Sequence, residues 1–169
     1  MKLIDLIKSD LRANKGNRKG QLVALSYRLS NHIYRSNNIL VKLLGFPIVK
    51  FHHWFVIWIM GVEIPAKTRI GEGLQVWHGT ALVINQDTVI GDNVLLRHST
   101  TIGNKYLGSG CPVIGNNVEI GAHSILIGDI KIGDNVTIGA ASLVTKSIPS
   151  NSVAYGNPIK IVSKFKETA

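Results

Sequence analysis

One cysteine, five prolines and ten acidic residues are all that 169 residues contain of these types, and each scarcity excludes something. A lone Cys111 leaves no intrachain disulfide framework, which favours a reducing compartment and a cytoplasmic location. A secretory signal is not expected either, because Lys2, Asp5, Lys8 and Asp10 interrupt the apolar pattern of the N-terminus. Long uncharged runs are also missing. The most apolar stretch, Phe51 to Val62, contains His52 and His53 and falls short of the ~20 residues that cross a bilayer, so it predicts a buried or interfacial helix. Acidic residues are rarest in the first 50 positions, where ten Lys/Arg face only Asp5 and Asp10 for a net of +8, against +1 for the other 119. That asymmetry suits either a solvated basic helical face or an anionic partner such as a membrane surface or an acidic glycan. Nucleic acid is set aside, since neither aromatic-basic interleaving nor a recognition motif accompanies the charge.

Three helical segments are expected before residue 62. Leu3, Ile4, Leu6, Ile7 and Leu11 stand close to helical spacing, as do Leu22, Leu25, Leu29 and Ile33, with a polar break from Asn14 to Gly20 between them. A third helix is expected from about Ile39 to Met60, interrupted or kinked near Gly45-Phe46-Pro47 and stopped by Gly61. These define an N-terminal helical region, 1–61, ahead of a second unit, 62–162, and a tail, 163–169.

From Ile64 the periodicity changes to six. Aliphatic residues recur at 64, 70, 76 and 82, then 84, 90, 96 and 102, then 114, 120, 126, 132, 138 and 144. Glycine directly follows seven of them, and the segments IGDNV (90–94), IGNNV (114–118) and IGDNV (132–136) supply Asp/Asn pairs suited to left-handed turns. A period of six fits neither an α-helix nor a simple strand. It fits a triangular left-handed parallel β-helix, in which three hexapeptides complete a coil and each aliphatic stacks about 4.8 Å from its counterpart. Two interruptions stand out. The step from Leu82 to Ile84 implies a two-residue bulge near Val83–Gln86, and the segment between Ile102 and Ile114, GNKYLGSGCPV, reads as an external loop over 103–113. Insertions on a solenoid tend to carry its function.

Histidines stand out in a wall otherwise built of aliphatic and small polar residues. His78 and His98 each lie eight positions beyond a repeat anchor, Ile70 and Ile90, so they should occupy matching places on successive coils. A histidine acting as general base needs a neighbour to orient it. Glu63, fifteen residues before His78, is near one coil away and is the carboxylate candidate. A three-histidine zinc site of the γ-carbonic anhydrase kind is not expected, because the coil offers no histidine pair about five residues apart. Cys111 has no obvious partner to activate it and reads as a loop cysteine near the cleft. GEG (71–73) and GSG (108–110) do not sit between a strand and a helix, so nucleotide loops are rejected.

These segments together resemble the hexapeptide acyltransferases, most nearly the serine acetyltransferase group. The shared features are YRLSNHIYR (27–35), GVEI (61–64), WHGTALVI (77–84), TIGN (101–104), CPVIG (111–115) and AYGNPIKIV (154–162). Within that group the chain looks most similar to the exopolysaccharide branch typified by acetyltransferases of colanic acid synthesis, which have similar His-Gly and Arg-His segments and a Cys-Pro loop. The resemblance implies a homotrimer with active sites between neighbouring coils, acetyl-CoA as co-substrate and no metal. It implies His78 as base, Glu63 where serine acetyltransferases have an aspartate partner, and His98, Trp77 and Cys111 near the acceptor. Gly103, Asn104, Ala122 and Ala140 would line the pantetheine arm, with Lys160 near the CoA phosphates. Two departures argue against serine. Gly110, Cys111 and Pro112 replace an Arg-His-Pro triplet that helps hold the serine carboxylate, and Trp77 replaces an aspartate, offering an aromatic surface to a sugar. The expected activity is therefore O-acetylation of an exopolysaccharide or capsular sugar precursor, soluble or lipid-linked, at the inner membrane face in the latter case. L-Serine O-acetylation and a non-catalytic scaffold are the alternatives.

Overall fold

A computed structural model describes residues 2–165; of the C-terminal tail, 166–169 lie outside the described residues. Three helices come first, α1 (Leu3–Ala13), α2 (Arg18–Arg35) and α3 (Ile39–Phe51), and α3 runs on into a π-helical segment, His52–Ile59. Asn17 and Asn38 cap α2 and α3 by accepting from the Gly20 and Leu40 amides. The polar break between α1 and α2 is thus shorter than the sequence suggested. The expected interruption of α3 at Pro47 does not occur, and the helix instead widens beyond it, from His52. Gly45 is required where α3 crosses α2, because a β-carbon there would press into the Ile33 side chain.

The rest of the described chain is a parallel β-solenoid of about five turns with three faces. The first face stacks Val62–Glu63, Leu82–Ile84, Thr101–Gly103, Ile125–Ile127 and Leu143–Val144. The second stacks Arg69–Ile70, Val89–Ile90, Val113–Ile114 and Lys131–Ile132. On the third lie Gln75–Trp77, Leu95–Arg97, Glu119–Ile120, Thr137–Ile138 and Ser152–Tyr155, closed by the antiparallel Lys160–Ser163. Every aliphatic of the six-residue series is buried, at 9% exposure or less. The corner between the second and third faces explains the Asp/Asn pairs. Asn93, Asn117, Asn135 and Asn151 all have φ between 53° and 59°, and their amides form a ladder: Asn93 donates to Asn117 (3.2 Å), Asn117 to Asn135 (3.2 Å) and Asn135 to Asn151 (3.0 Å). The residue before each of these reaches back one coil, as where Asp92 Oδ1 accepts from the Glu72 amide and Asp134 Oδ1 from the Asn116 amide.

Register locates the two irregularities. Partners on the second face are 18 residues apart for the plain coil (Val113↔Lys131), 20 for the first (Arg69↔Val89) and 24 where the external loop intervenes (Val89↔Val113). The two additional residues of the first coil do not form a bulge at Val83–Gln86. Leu82 and Ile84 are alternate residues of one strand, both buried around an exposed Val83, and the insertion sits in the preceding corner, where His78 and Ala81 both take positive φ. The irregularity expected beyond the histidine is therefore the turn that carries it.

A solenoid must protect the backbone of its terminal coil, and here the helices do so on all three faces. On the third face, Asp10 accepts from the Leu74 amide (3.0 Å), Asn14 donates to the Leu74 carbonyl (2.7 Å) and accepts from the Val76 amide (3.1 Å), and Asn17 donates to the Val76 carbonyl (2.7 Å). Along the second, the Tyr27 hydroxyl donates to the Thr68 carbonyl (2.8 Å), Asn31 to the Ala66 carbonyl (2.7 Å) and Arg28 to those of Ile70 and Gly71. Burial pushes the Tyr27 hydroxyl up to about 12, so it stays a donor. On the first face, His52 Nε2 donates to the Ile64 carbonyl (2.8 Å), which leaves Nδ1 to accept from Ser26 (3.0 Å).

Candidate active site

The corner between the third and first faces is built differently from the asparagine corner. Ala81, Ser99, His123 and Ala141 occupy its left-handed position, with φ from 55° to 61°, and His78 adds a further positive φ of 65° in the enlarged first turn. Non-glycine residues in this region cost of order 1–2 kcal/mol each, and such strain gathers at functional sites. The turns place three imidazoles in succession. His78 and His98 lie edge to face with centroids 5.9 Å apart, and His98 and His123 likewise at 5.1 Å. His98 Nδ1 is buried and has no hydrogen-bond partner among the described residues.

A recess of about 470 Å³ opens beside this corner, lined by His78, His98, Arg97, Glu119, Ala122 and Ala140 among others. Its floor is held close by the coil stacking, since a β-carbon on Gly121 would collide with the Ala140 backbone. A second recess of about 520 Å³ continues over His78, Thr80, His98 and Ser99. Four of the residues singled out from the sequence, His78, His98, Ala122 and Ala140, thus share one cavity. Trp77 borders it, half-buried, with its ring edge to face against His78 at 6.5 Å.

The remaining candidates lie elsewhere in the chain. Glu63 makes no hydrogen bond to His78; it is exposed and lines a separate recess of about 190 Å³ with His52, His53 and Pro65. Gly103 and Asn104 close the opposite end of the first face, where Asn104 donates to the Tyr106 carbonyl (2.7 Å) and holds the base of the external loop. Cys111 is half-buried at the other end of that loop, and burial, with the nearby Asp87 charge, pushes its thiol above the usual range. Lys160 is exposed on the closing antiparallel strand, paired with Tyr155. No group of three or more His, Cys, Asp or Glu side chains among the described residues is arranged to hold a metal ion.

The sequence reading missed Arg97, Glu119 and His123. Arg97 is the register partner of Trp77, and Glu119 and Thr137 form one outward column of the third face. His123 would have been found by counting back from the next anchor: it precedes Leu126 by three residues, as Ser99 precedes Ile102.

Comparison with known proteins agrees with this architecture. Residues 111–146 match the family described as bacterial transferase hexapeptide (six repeats). The chain is 38% identical over 155 residues to the protein of Escherichia coli K12 named for colanic acid biosynthesis as the acetyltransferase WcaB, covering 90% of this chain and 96% of that one. It is 36% identical over 151 residues to serine acetyltransferase 4 of Arabidopsis thaliana, covering 88% of this chain but 41% of that protein. Among solved structures, soybean serine acetyltransferase complexed with serine superimposes with a TM-score of 0.81 at 30% identity, over 95% of this chain and 69% of the other. The serine acetyltransferase of Brucella abortus strain S19 in complex with coenzyme A gives a TM-score of 0.78 at 27% identity, over 94% and 67%. A parallel β-solenoid behind N-terminal helices, a histidine-lined recess and these likenesses converge: the chain is an acetyltransferase and belongs to the hexapeptide-repeat family that includes WcaB and the serine acetyltransferases.

Proposed function

We propose that the enzyme transfers the acetyl group of acetyl-CoA directly to a hydroxyl of an exopolysaccharide or capsular sugar precursor, with His78 as general base. The observation that carries this reading is the shared cavity, in which His78 and His98 meet the small side chains of Ala122 and Ala140. Ala122 and Ala140 leave room on that wall for a narrow chain such as the pantetheine arm. His78 removes the proton of the acceptor hydroxyl as its oxygen attacks the thioester carbon. The C–S bond then breaks and the proton passes to the departing thiolate, while a backbone N–H or another nearby donor supports the oxyanion. His98, which lines both recesses beside His78, contacts the acceptor, and Trp77 offers its ring to a sugar face.

Gly103, Asn104 and Cys111 lie across the first face from His78, a separation that suits a homotrimer in which a neighbouring chain completes each site. Glu63 and His78 line different recesses, so a Glu63–His78 dyad requires their side chains to approach each other in the working enzyme. Glu63→Gln tests it: a loss as deep as in His78→Ala keeps the dyad, and near-native turnover removes it.

In the central test, His78→Ala lowers turnover about 10²–10⁴-fold while CoA still binds by calorimetry. Near-normal turnover would overturn the assignment. The structural likeness to soybean serine acetyltransferase supports a second reading, L-serine O-acetylation. Thiol release measured with serine and with a panel of sugar acceptors separates the two.

A further inference from the structure

The strongest feature outside the active site is the outer surface of the helix Ile39–Ile59. The sequence suggested an apolar stretch too short to cross a bilayer. Because α3 and the π-helical segment are continuous, the structure instead has 21 residues long and apolar enough by length and composition, with only 17% of the most apolar window buried. Leu40 (62% exposed), Leu44 (78%) and Phe51 (46%) of α3, with Pro47 between them, and Trp54 (63%) and Trp58 (75%) of the π-helical segment are all exposed and give the helix an apolar outer surface, the outer stripe. The inward side is committed to the protein through Gly45, His52 and Val56. α3 packs on α2, and His52 bonds both Ser26 of α2 and the Ile64 carbonyl of the coil, so the helix is fastened to the protein rather than free to cross a membrane alone.

Charge distinguishes what covers the stripe. From Leu11 to Val62 the chain has eight Lys/Arg and no Asp or Glu; Arg28 is buried against Asp10, which leaves seven, with Lys42 and Lys50 exposed on the helix itself. A second copy packed on this surface would bring two strongly cationic segments together. An anionic bilayer offers apolar depth and negative charge at once. Tryptophans suit its interface, where an amphipathic helix sinks about 5–10 Å.

We propose that the outer stripe of Ile39–Ile59 lies in the surface of an anionic membrane as an in-plane anchor, leaving the solenoid outside the bilayer. The inference does not depend on which hydroxyl is acetylated, because vesicle binding is read without turnover.

The test uses the full chain with phosphatidylcholine vesicles containing or lacking phosphatidylglycerol. Expected results are co-sedimentation with the phosphatidylglycerol vesicles, weakening at high salt, and quenching of tryptophan fluorescence by brominated lipid. The double substitution Trp54→Ser/Trp58→Ser should lower the partition coefficient at least about tenfold and abolish the quenching, although Trp77 remains. Unchanged circular dichroism and CoA binding would show that this variant is folded. Wild-type protein left in the supernatant with phosphatidylglycerol vesicles overturns the proposal. So does a double variant that binds vesicles like wild type but sediments as a smaller species, since that result assigns the stripe to contact between copies.

Discussion

The buried Asp10–Arg28 pair should be among the most sensitive points of the fold, and its cost can be worked from its surroundings. Arg28 Nε lies 2.7 Å from Asp10 Oδ2, with the two side chains 2% and 1% exposed, and Nη2 meets the second carboxylate oxygen at 3.2 Å. The same guanidinium donates to the Ile70 and Gly71 carbonyls, and the same carboxylate accepts from the Leu74 amide. Asp10→Asn keeps the shape and an acceptor for Leu74 but leaves a buried guanidinium without its counter-charge, a loss of about 3–5 kcal/mol. At this chain size that corresponds to a fall in Tm of about 6–20 °C. Lys67–Asp87 is the control: its N–O distance is also short, 2.9 Å, but its side chains are 45% and 59% exposed. Solvent screens such a pair, so Asp87→Asn should leave Tm nearly unchanged. Denaturation is followed by circular dichroism at one fixed protein concentration, because subunit association shifts apparent stability. Equal shifts in the two variants, or an Asp10→Asn loss below about 1 kcal/mol, would refute the claim that burial decides the energy of these pairs.

Three further outcomes are expected. Asn117→Ala loses both the amide ladder and a side chain tolerant of φ 53°, and should destabilise by about 1–2 kcal/mol in urea titration, with Asn117→Gly costing less. Burial lowers the pKa of His52 below 6.5, so its contribution is complete above about pH 6.5 and is lost as pH falls from there through the depressed folded value; His52→Gln should flatten that part of the stability-pH curve. Since burial raises the Cys111 thiol, iodoacetamide should alkylate it more slowly at neutral pH than it alkylates a free cysteine, and faster labelling would contradict that placement.

The sequence by itself determined the solenoid, because the coil is a local rule repeated. An inward aliphatic every sixth residue and an asparagine at a left-handed corner specify each turn from its own few residues, and coil stacking then follows. The same local reasoning singled out His78 and His98, whose matching offsets from Ile70 and Ile90 survive folding as adjacent rings. It failed where contacts span long separations. Asp10, Asn14 and Asn17 read as helix and polar break, yet they satisfy the Leu74 and Val76 backbone about 60 residues away, a pairing with no periodic signature. Whether the two extra residues fell before or after Leu82 depended on which aliphatics the core accepted. Tertiary structure alone placed Glu63 on a recess away from the histidines and left the surface from Leu40 to Trp58 uncovered. Both outcomes depend on which face of the helix Ile39–Ile59 meets the rest of the protein, and periodicity cannot assign that for a helix with apolar residues on every side.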